Sequence, residues 1–182
     1  HNMYTTRLPL GNLFPNEDLM KEVVAKEWKE DDARNLVDVI VGVPSSDAAV
    51  FLARYIDITD WKADRLSRLY EHLARYTPAN ALEKVITNVR QKKTDNVDFQ
   101  YEAFKGIQQG IARRGAKESA QMQTWGTTLA KQLMDKHSPK ANNESAEVLA
   151  KQKFAAELAG KYKIKSMEPA LLAFFGDEPA ED

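Results

Sequence analysis

Apolar residues recur along nearly the whole chain at i, i+3, i+4 and i+7, the interval that lines one side of an α-helix. Met20, Val23, Val24 and Trp28 form a first stripe behind Asn16 as N-cap. Ala33, Leu36, Val37 and Ile40 form a second, with Gly42 placed to end it. Ser45 is placed to cap a third helix over 47–56, where Ala48, Ala49, Val50, Phe51 and Leu52 leave almost no polar side. A helix without a wet face belongs between neighbours. Asp60 heads a fourth, striped by Leu66, Leu69, Tyr70 and Leu73. Thr77 and Pro78 read as a cap followed by proline at the first helical position, where its missing N–H costs nothing. Leu82, Val85, Ile86 and Val89 continue that fifth helix.

The pattern goes on more loosely. Asn96 caps a sixth helix with Tyr101, Phe104, Ile107 and Ile111, closed by Gly115. Met122, Trp125, Leu129 and Leu133 mark a seventh, and 136–143 is a polar connection containing Pro139. Ala150, Phe154, Ala155 and Leu158 mark an eighth, ended by Gly160. Ser166 caps a ninth, with Met167, Leu171, Leu172, Phe174 and Phe175, stopped by Gly176. One stretch competes: Val37, Val39, Val41 and Val43 alternate as a strand would. The helical pattern takes in Ala33 and Leu36 as well, and a lone strand would have no partner.

The predicted fold class is all-α: an α-α superhelix of HEAT-like helical hairpins, about nine helices, in a single domain over 16–176. Short connections favour antiparallel neighbours, and hairpins that each bury one face must stack on the next. An irregular helical bundle is the competing arrangement. Residues 1–15 read as a tag remnant (His1-Asn2-Met3) and an N-terminal arm, and 177–182 as an acidic disordered tail.

Among the 182 residues, 26 basic and 27 acidic side chains nearly cancel, giving a net charge of -1. That balance does not ask for a nucleic-acid partner. Cysteine is absent, which removes thiolate metal sites and cysteine nucleophiles. No apolar run is long enough to span a membrane.

Residues with chemical potential have plainer uses. His72 lies between Glu71 and Leu73 with Arg68 a turn before it, the wrong sign for a metal site. His137 sits at a helix C-terminus, where a cation meets the helix dipole favourably. Asp31, Asp32 and Asp60 suit N-caps, and Ser45 and Ser46 precede a helix. No Gly-x-Ser-x-Gly elbow or phosphate loop occurs. Gly106 and Gly110 stand four apart, a spacing for close helix packing. No catalytic, cofactor or metal residue is predicted.

Two binding features remain. Trp61, Tyr70, Tyr76 and Trp125 are the candidate partner-binding aromatics, although most fall on apolar stripes and suit a core. Lys151, Lys153, Lys161, Lys163 and Lys165 form a basic stretch that would serve a helical nucleic-acid-binding module. Interleaved Glu144, Glu147 and Glu157 weigh against it. At the last helix, Phe174 and Phe175 differ by about 100° around the axis and cannot both face one neighbour. They are the candidate end-face, to be covered by an adjoining domain or by weak homo-association.

A resemblance rests on the string Asp38-Val-Ile-Val-Gly-Val-Pro-Ser-Ser-Asp-Ala-Ala-Val-Phe-Leu-Ala-Arg-Tyr-Ile56. It continues in Gly106-Ile-Gln-Gln-Gly-Ile-Ala-Arg-Arg-Gly115, in Trp125, in Ala155-Ala-Glu-Leu-Ala-Gly160 and in Pro169-Ala-Leu-Leu172. In order and pattern these resemble the helical-repeat region of large bacterial multidomain haem-binding, sugar-dehydrogenase-like proteins of planctomycete type. The resemblance implies a segment between a β-propeller dehydrogenase domain and a c-type cytochrome domain of an exported protein, hence a periplasmic or extracellular place. This chain has no Cys-x-x-Cys-His, so neither haem nor dehydrogenase activity carries onto any residue. The expectation is a non-catalytic, cofactor-free module that docks a protein or spaces neighbouring domains.

Overall fold

The computed structural model describes residues 17–137 and 145–175, with side chains over 18–137 and 145–172. Among the described residues there are nine α-helices and no strand. No described helix is long and apolar enough to cross a membrane. The chain divides into two compact units, one of residues 1–85 with 102–117 and one of 86–101 with 118–182.

In the first unit, α1 spans Glu17–Ala25, α2 Glu30–Ile40, α3 Ser46–Tyr55 and α4 Ala63–Tyr76. The competing strand at 37–43 does not form. Ala33, Val37 and Ile40 are all fully buried, the i, i+4, i+7 set of one helical face. Glu30, Asp31 and Asp32 fill the first turn of α2, where negative charge suits the helix dipole; Lys29 holds the N-cap position without a side-chain bond. The Ser45 hydroxyl accepts from the Ala48 amide at 3.1 Å, as its position before a helix predicts. α3 packs against α1, α2 and α4 together. Its wet edge is narrow, made of the half-exposed Val50 with Ala53 and Arg54.

Trp28 corrects the first stripe. It lies beyond the end of α1, where its indole N–H donates to the Val23 carbonyl at 2.9 Å and its amide to the Tyr55 hydroxyl at 2.9 Å. The predicted cap Asn16 lies outside the described residues. Asp60 is not an N-cap, since α4 starts at Ala63 behind Lys62. Instead, the Trp61 indole N–H donates to the Ile56 carbonyl at 2.6 Å and folds the connection back onto the end of α3.

α5 spans Ala79–Gln91 and α6 Val97–Arg113, each contributing residues to both units. Pro78 precedes α5 and accepts from the Leu82 amide at 3.1 Å, so it takes the capping position and not the first helical one. The Asn96 side-chain oxygen accepts from the Phe99 amide at 3.0 Å and starts α6. Gly115, at φ +71, stops it, with Ala116 N–H on the Ile111 carbonyl and Gly115 N–H on the Ala112 carbonyl. That pair of bonds is the Schellman ending, which wants a residue at positive φ.

Within the first unit α6 meets α4 at backbone distance. A Cβ at Gly106 would strike the Ser67 carbonyl and stand 3.1 Å from the Glu71 amide nitrogen. One at Gly110 would strike the Glu71 carbonyl and lie 2.7 Å from Ala74 Cβ and 2.9 Å from the Arg75 amide nitrogen. Arg114 then donates to the Ala74 and Thr77 carbonyls at 3.0 and 2.8 Å, satisfying the last turn of α4.

In the second unit α7 (Ala120–Lys136) packs against α8 (Ala146–Lys161). Ser119 and Ser145 cap them, accepting from Met122 and Val148 at 3.3 and 3.2 Å. Gly160 does not end α8, which runs one residue further. The left-handed residue is Lys163, at φ +52, with Ile164 N–H on the Ala159 carbonyl at 2.9 Å. Ser166 lies inside a 3-10 turn, Lys165–Met167, that leads into α9, Glu168–Phe175, so it caps nothing. The side chains of Phe174 and Phe175, the predicted end-face, lie outside the described residues, as does the tail at 177–182.

Candidate functional site

The four aromatics predicted to bind a partner separate by burial. Tyr70 is 0% exposed and Trp125 2%, so neither can form a groove. Both belong to the core because they continue the apolar stripes of α4 and α7, and the Trp125 indole N–H donates to the buried Gln100 side chain at 2.7 Å. Burial and the charge of Asp57 push the Tyr70 hydroxyl well above its ordinary range. Trp61 and Tyr76 are half-buried and line clefts.

The cleft at Tyr76 lies wholly in the first unit, with a volume of about 180 Å³. Val41, Gly42 and Pro44 form one wall, from the turn between α2 and α3. Arg68, Glu71, His72 and Arg75 come from α4, at spacings of three, four and seven that bring them to one face. Arg113 arrives from α6, carried in by the glycine contact at Gly106 and Gly110, and pairs with Glu71 at 2.6 Å. Arg68 and Arg75 have no carboxylate at ion-pair distance among the described residues, and Arg75 rests over the Tyr76 ring at 5.1 Å.

His72 is 6% exposed and stacks on Tyr76 with ring centroids 4.6 Å apart. Its Nε2 has no hydrogen-bond partner among the described residues. Burial lowers its pKa to about 4; the Val41 backbone pulls it upward and the Arg75 charge pushes it further down. At pH 7 the ring is therefore neutral. Sequence spacing sets Arg68 a turn before His72; Arg75, three residues after it, was readable from the same spacing but passed over, and Arg113 had no local signal.

The cleft at Trp61 contains Arg34, Asp38, Asp60, Lys62, Asp64 and Arg65, with Arg65 paired to Asp38. Acid and base alternate there, and no one sign prevails. In the second unit, a cleft between α7 and the end of α8 presents Thr124, Thr127 and Thr128. Their hydroxyls already donate to the carbonyls of Ala120, Gln123 and Thr124.

The basic stretch is only partly a surface. Lys151 is 4% exposed and donates to Asp98 at 2.7 Å and Glu147 at 2.5 Å. Lys161 pairs with Glu118 at 2.5 Å, and that carboxylate also takes the Tyr162 hydroxyl at 2.8 Å. Lys153, Lys163 and Lys165 are exposed. Alternation with glutamate in sequence hides this, because the compensating Asp98 comes from α6 and Glu118 from the connection just before α7. His137 stands 3.9 Å from Asp98, and burial with the charges of Lys151 and Lys136 lowers its pKa against the pull of Asp98 and Glu147. Among the described residues no three His, Cys, Asp or Glu side chains converge to hold a metal. No protein family, curated protein or solved structure matches the chain.

Proposed function

We propose that the chain is a non-catalytic helical-repeat module that docks a protein partner or a neighbouring domain of its own polypeptide through an acidic group held in the Arg68–Arg75–Arg113 cleft. In this proposal its hairpins are HEAT-like, stack as an α-α superhelix, and serve an exported multidomain protein. The observation that carries the docking role is the pair of guanidiniums, Arg68 and Arg75, which stand beside a third without carboxylates among the described residues. Guanidinium forks match carboxylate and phosphate geometry, and arginine is frequent among the anchors of partner binding.

Other groups with chemical potential already have structural work, which supports a non-catalytic role. The hydroxyls of Ser45, Ser119 and Ser145 cap helices, while Asp98 and Glu118 hold lysines. The test is titration of the chain with a fluorescent peptide rich in aspartate and glutamate, beside its amide counterpart. The acidic peptide binds, the amide peptide does not, and Arg68→Ala with Arg75→Ala weakens binding about tenfold or more. Binding that ignores both substitutions, or that goes instead to an oligonucleotide with steep salt dependence, overturns the reading.

A further inference from the structure

Three guanidiniums and one carboxylate line the cleft, so two positive charges stand unmatched among the described residues. The remaining wall, from Val41, Gly42 and Pro44, brings no ionisable side chain. A single carboxylate would neutralise half of the excess. A phosphate group carries about 1.5 to 2 negative charges at pH 7 and offers several acceptor oxygens to guanidinium N–H groups. A volume of about 180 Å³ admits such a group together with waters of about 30 Å³ each. The cleft also contains a polar side chain over nine-tenths buried, His72, whose Nε2 has no partner among the described residues.

We infer that the cleft of Arg68, Arg75 and Arg113 is a site for a doubly charged phosphate group, free or as a monoester. This rests on the reading of the cleft as the docking site and names the group that it takes. Arg68 and Arg75 bind the oxygens directly. Arg113 stays on Glu71 and contributes field, which keeps the carboxylate from repelling the ligand. His72 reports occupancy: a dianion beside a buried neutral imidazole stabilises its protonated form, so its titration moves upward from about 4. The charged groups that line the cleft with the ring are Arg68, Glu71 and Arg75 from its own helix and Arg113 from α6, and of these the Arg75 charge acts on it.

The experiment is a titration of the full chain at pH 7 and low salt with inorganic phosphate, O-phosphoserine and acetate. It is read by calorimetry and by the imidazole NMR signals, which three histidines keep simple. Phosphate and phosphoserine bind at least tenfold tighter than acetate and shift the His72 signals. Saturating phosphate raises the His72 titration midpoint. Arg75→Ala and Arg68→Gln each weaken phosphate about tenfold with the helical circular dichroism unchanged, while Lys153→Ala has no effect. Phosphoserine binding tighter than inorganic phosphate assigns the group to a chain, and the reverse assigns a free ion; either supports the site. Acetate equal to phosphate, or a His72 signal that stays still during binding, overturns the phosphate inference and leaves acidic docking standing. If neither these anions nor the acidic peptide binds, both fall.

Discussion

In the unit of residues 1–85 and 102–117, α6 lies against α4 through two glycines, and the backbones nearly touch. In the unit of 86–101 and 118–182 the joins are polar: Asp98 holds Lys136 and Lys151, Gln100 holds Trp125, Gln121 reaches Thr87, and Glu118 holds Lys161 and Tyr162. The consequence is a different use of charge. Where backbone and carbon meet, with Arg113 alone drawn onto Glu71, Arg68 and Arg75 have no carboxylate at ion-pair distance among the described residues. Where ionised side chains hold helices together, cations that look like a binding surface in sequence are already taken. A basic stretch is thus a poor guide to a binding face until the partners of each lysine are known.

The sharpest way to break this comparison is at the glycines. Gly110→Ala forces a Cβ into the Glu71 carbonyl and the Arg75 amide of α4, and destabilises the chain by about 3 kcal/mol in urea unfolding. Gly160→Ala, in α8 with nothing within 4 Å of the added carbon, stabilises it by about 0.5–1 kcal/mol. Stabilisation at both positions would mean that α6 and α4 are not in backbone contact.

Acid separates the units next. The folded His72 titrates near 4 and its unfolded form near 6.5, so the unfolded chain takes the proton first. The stabilisation is complete above about pH 6.5 and is lost as pH falls toward 4, at up to about 1.4 kcal/mol per pH unit. His137, also held low, adds a lesser loss of the same sign. Urea midpoints measured from pH 7 to pH 5 should fall, and His72→Gln should flatten most of that slope. A flat wild-type profile would show that His72 is not buried as a neutral ring.

Asp98 answers in another range. Burial raises its pKa, but hydrogen bonds from Lys136 and Lys151 and their charges outweigh this and hold it below the usual value. Its contribution is present above about pH 4 and is lost as pH falls through the lower folded value. Asp98→Asn therefore costs about 1–2 kcal/mol at pH 7, modest because the carboxylate is half-exposed, and steepens the pH 5–7 slope slightly, since the upward pull of Asp98 on His137 is lost. No loss on this substitution would demote the polar join to a surface ornament.

The stripes of apolar residues placed the helices, because burial repeats at the helical period whatever the neighbour. Ser45, Asn96 and Gly115 were readable as ends because each acts within three to five residues along the chain. The ends that depend on space were not. Trp28 folds back to Val23 and Tyr55, Trp61 back to Ile56, and Lys163 takes a conformation that glycine usually fills. The candidate site divides in the same way. Arg68, His72 and Arg75 share a face by spacing, whereas Arg113 joins them only through the packing of α6 on α4, about forty residues away in sequence. Tyr70 and Trp125, which looked like anchors for a partner, are inside because the stripes that carry them are the core itself.

Gly106 and Gly110 also bear on descent. Most positions in a helical protein drift freely between residues of like polarity, and kinship written only in polarity fades quickly. These two admit one residue each, since any side chain first meets a backbone carbonyl of α4, that of Ser67 or Glu71, which no mutation of a neighbour removes. A distant cousin of this chain should therefore keep the pair, with small residues at the places of Ser67 and Ala74, after its surface has become unrecognisable.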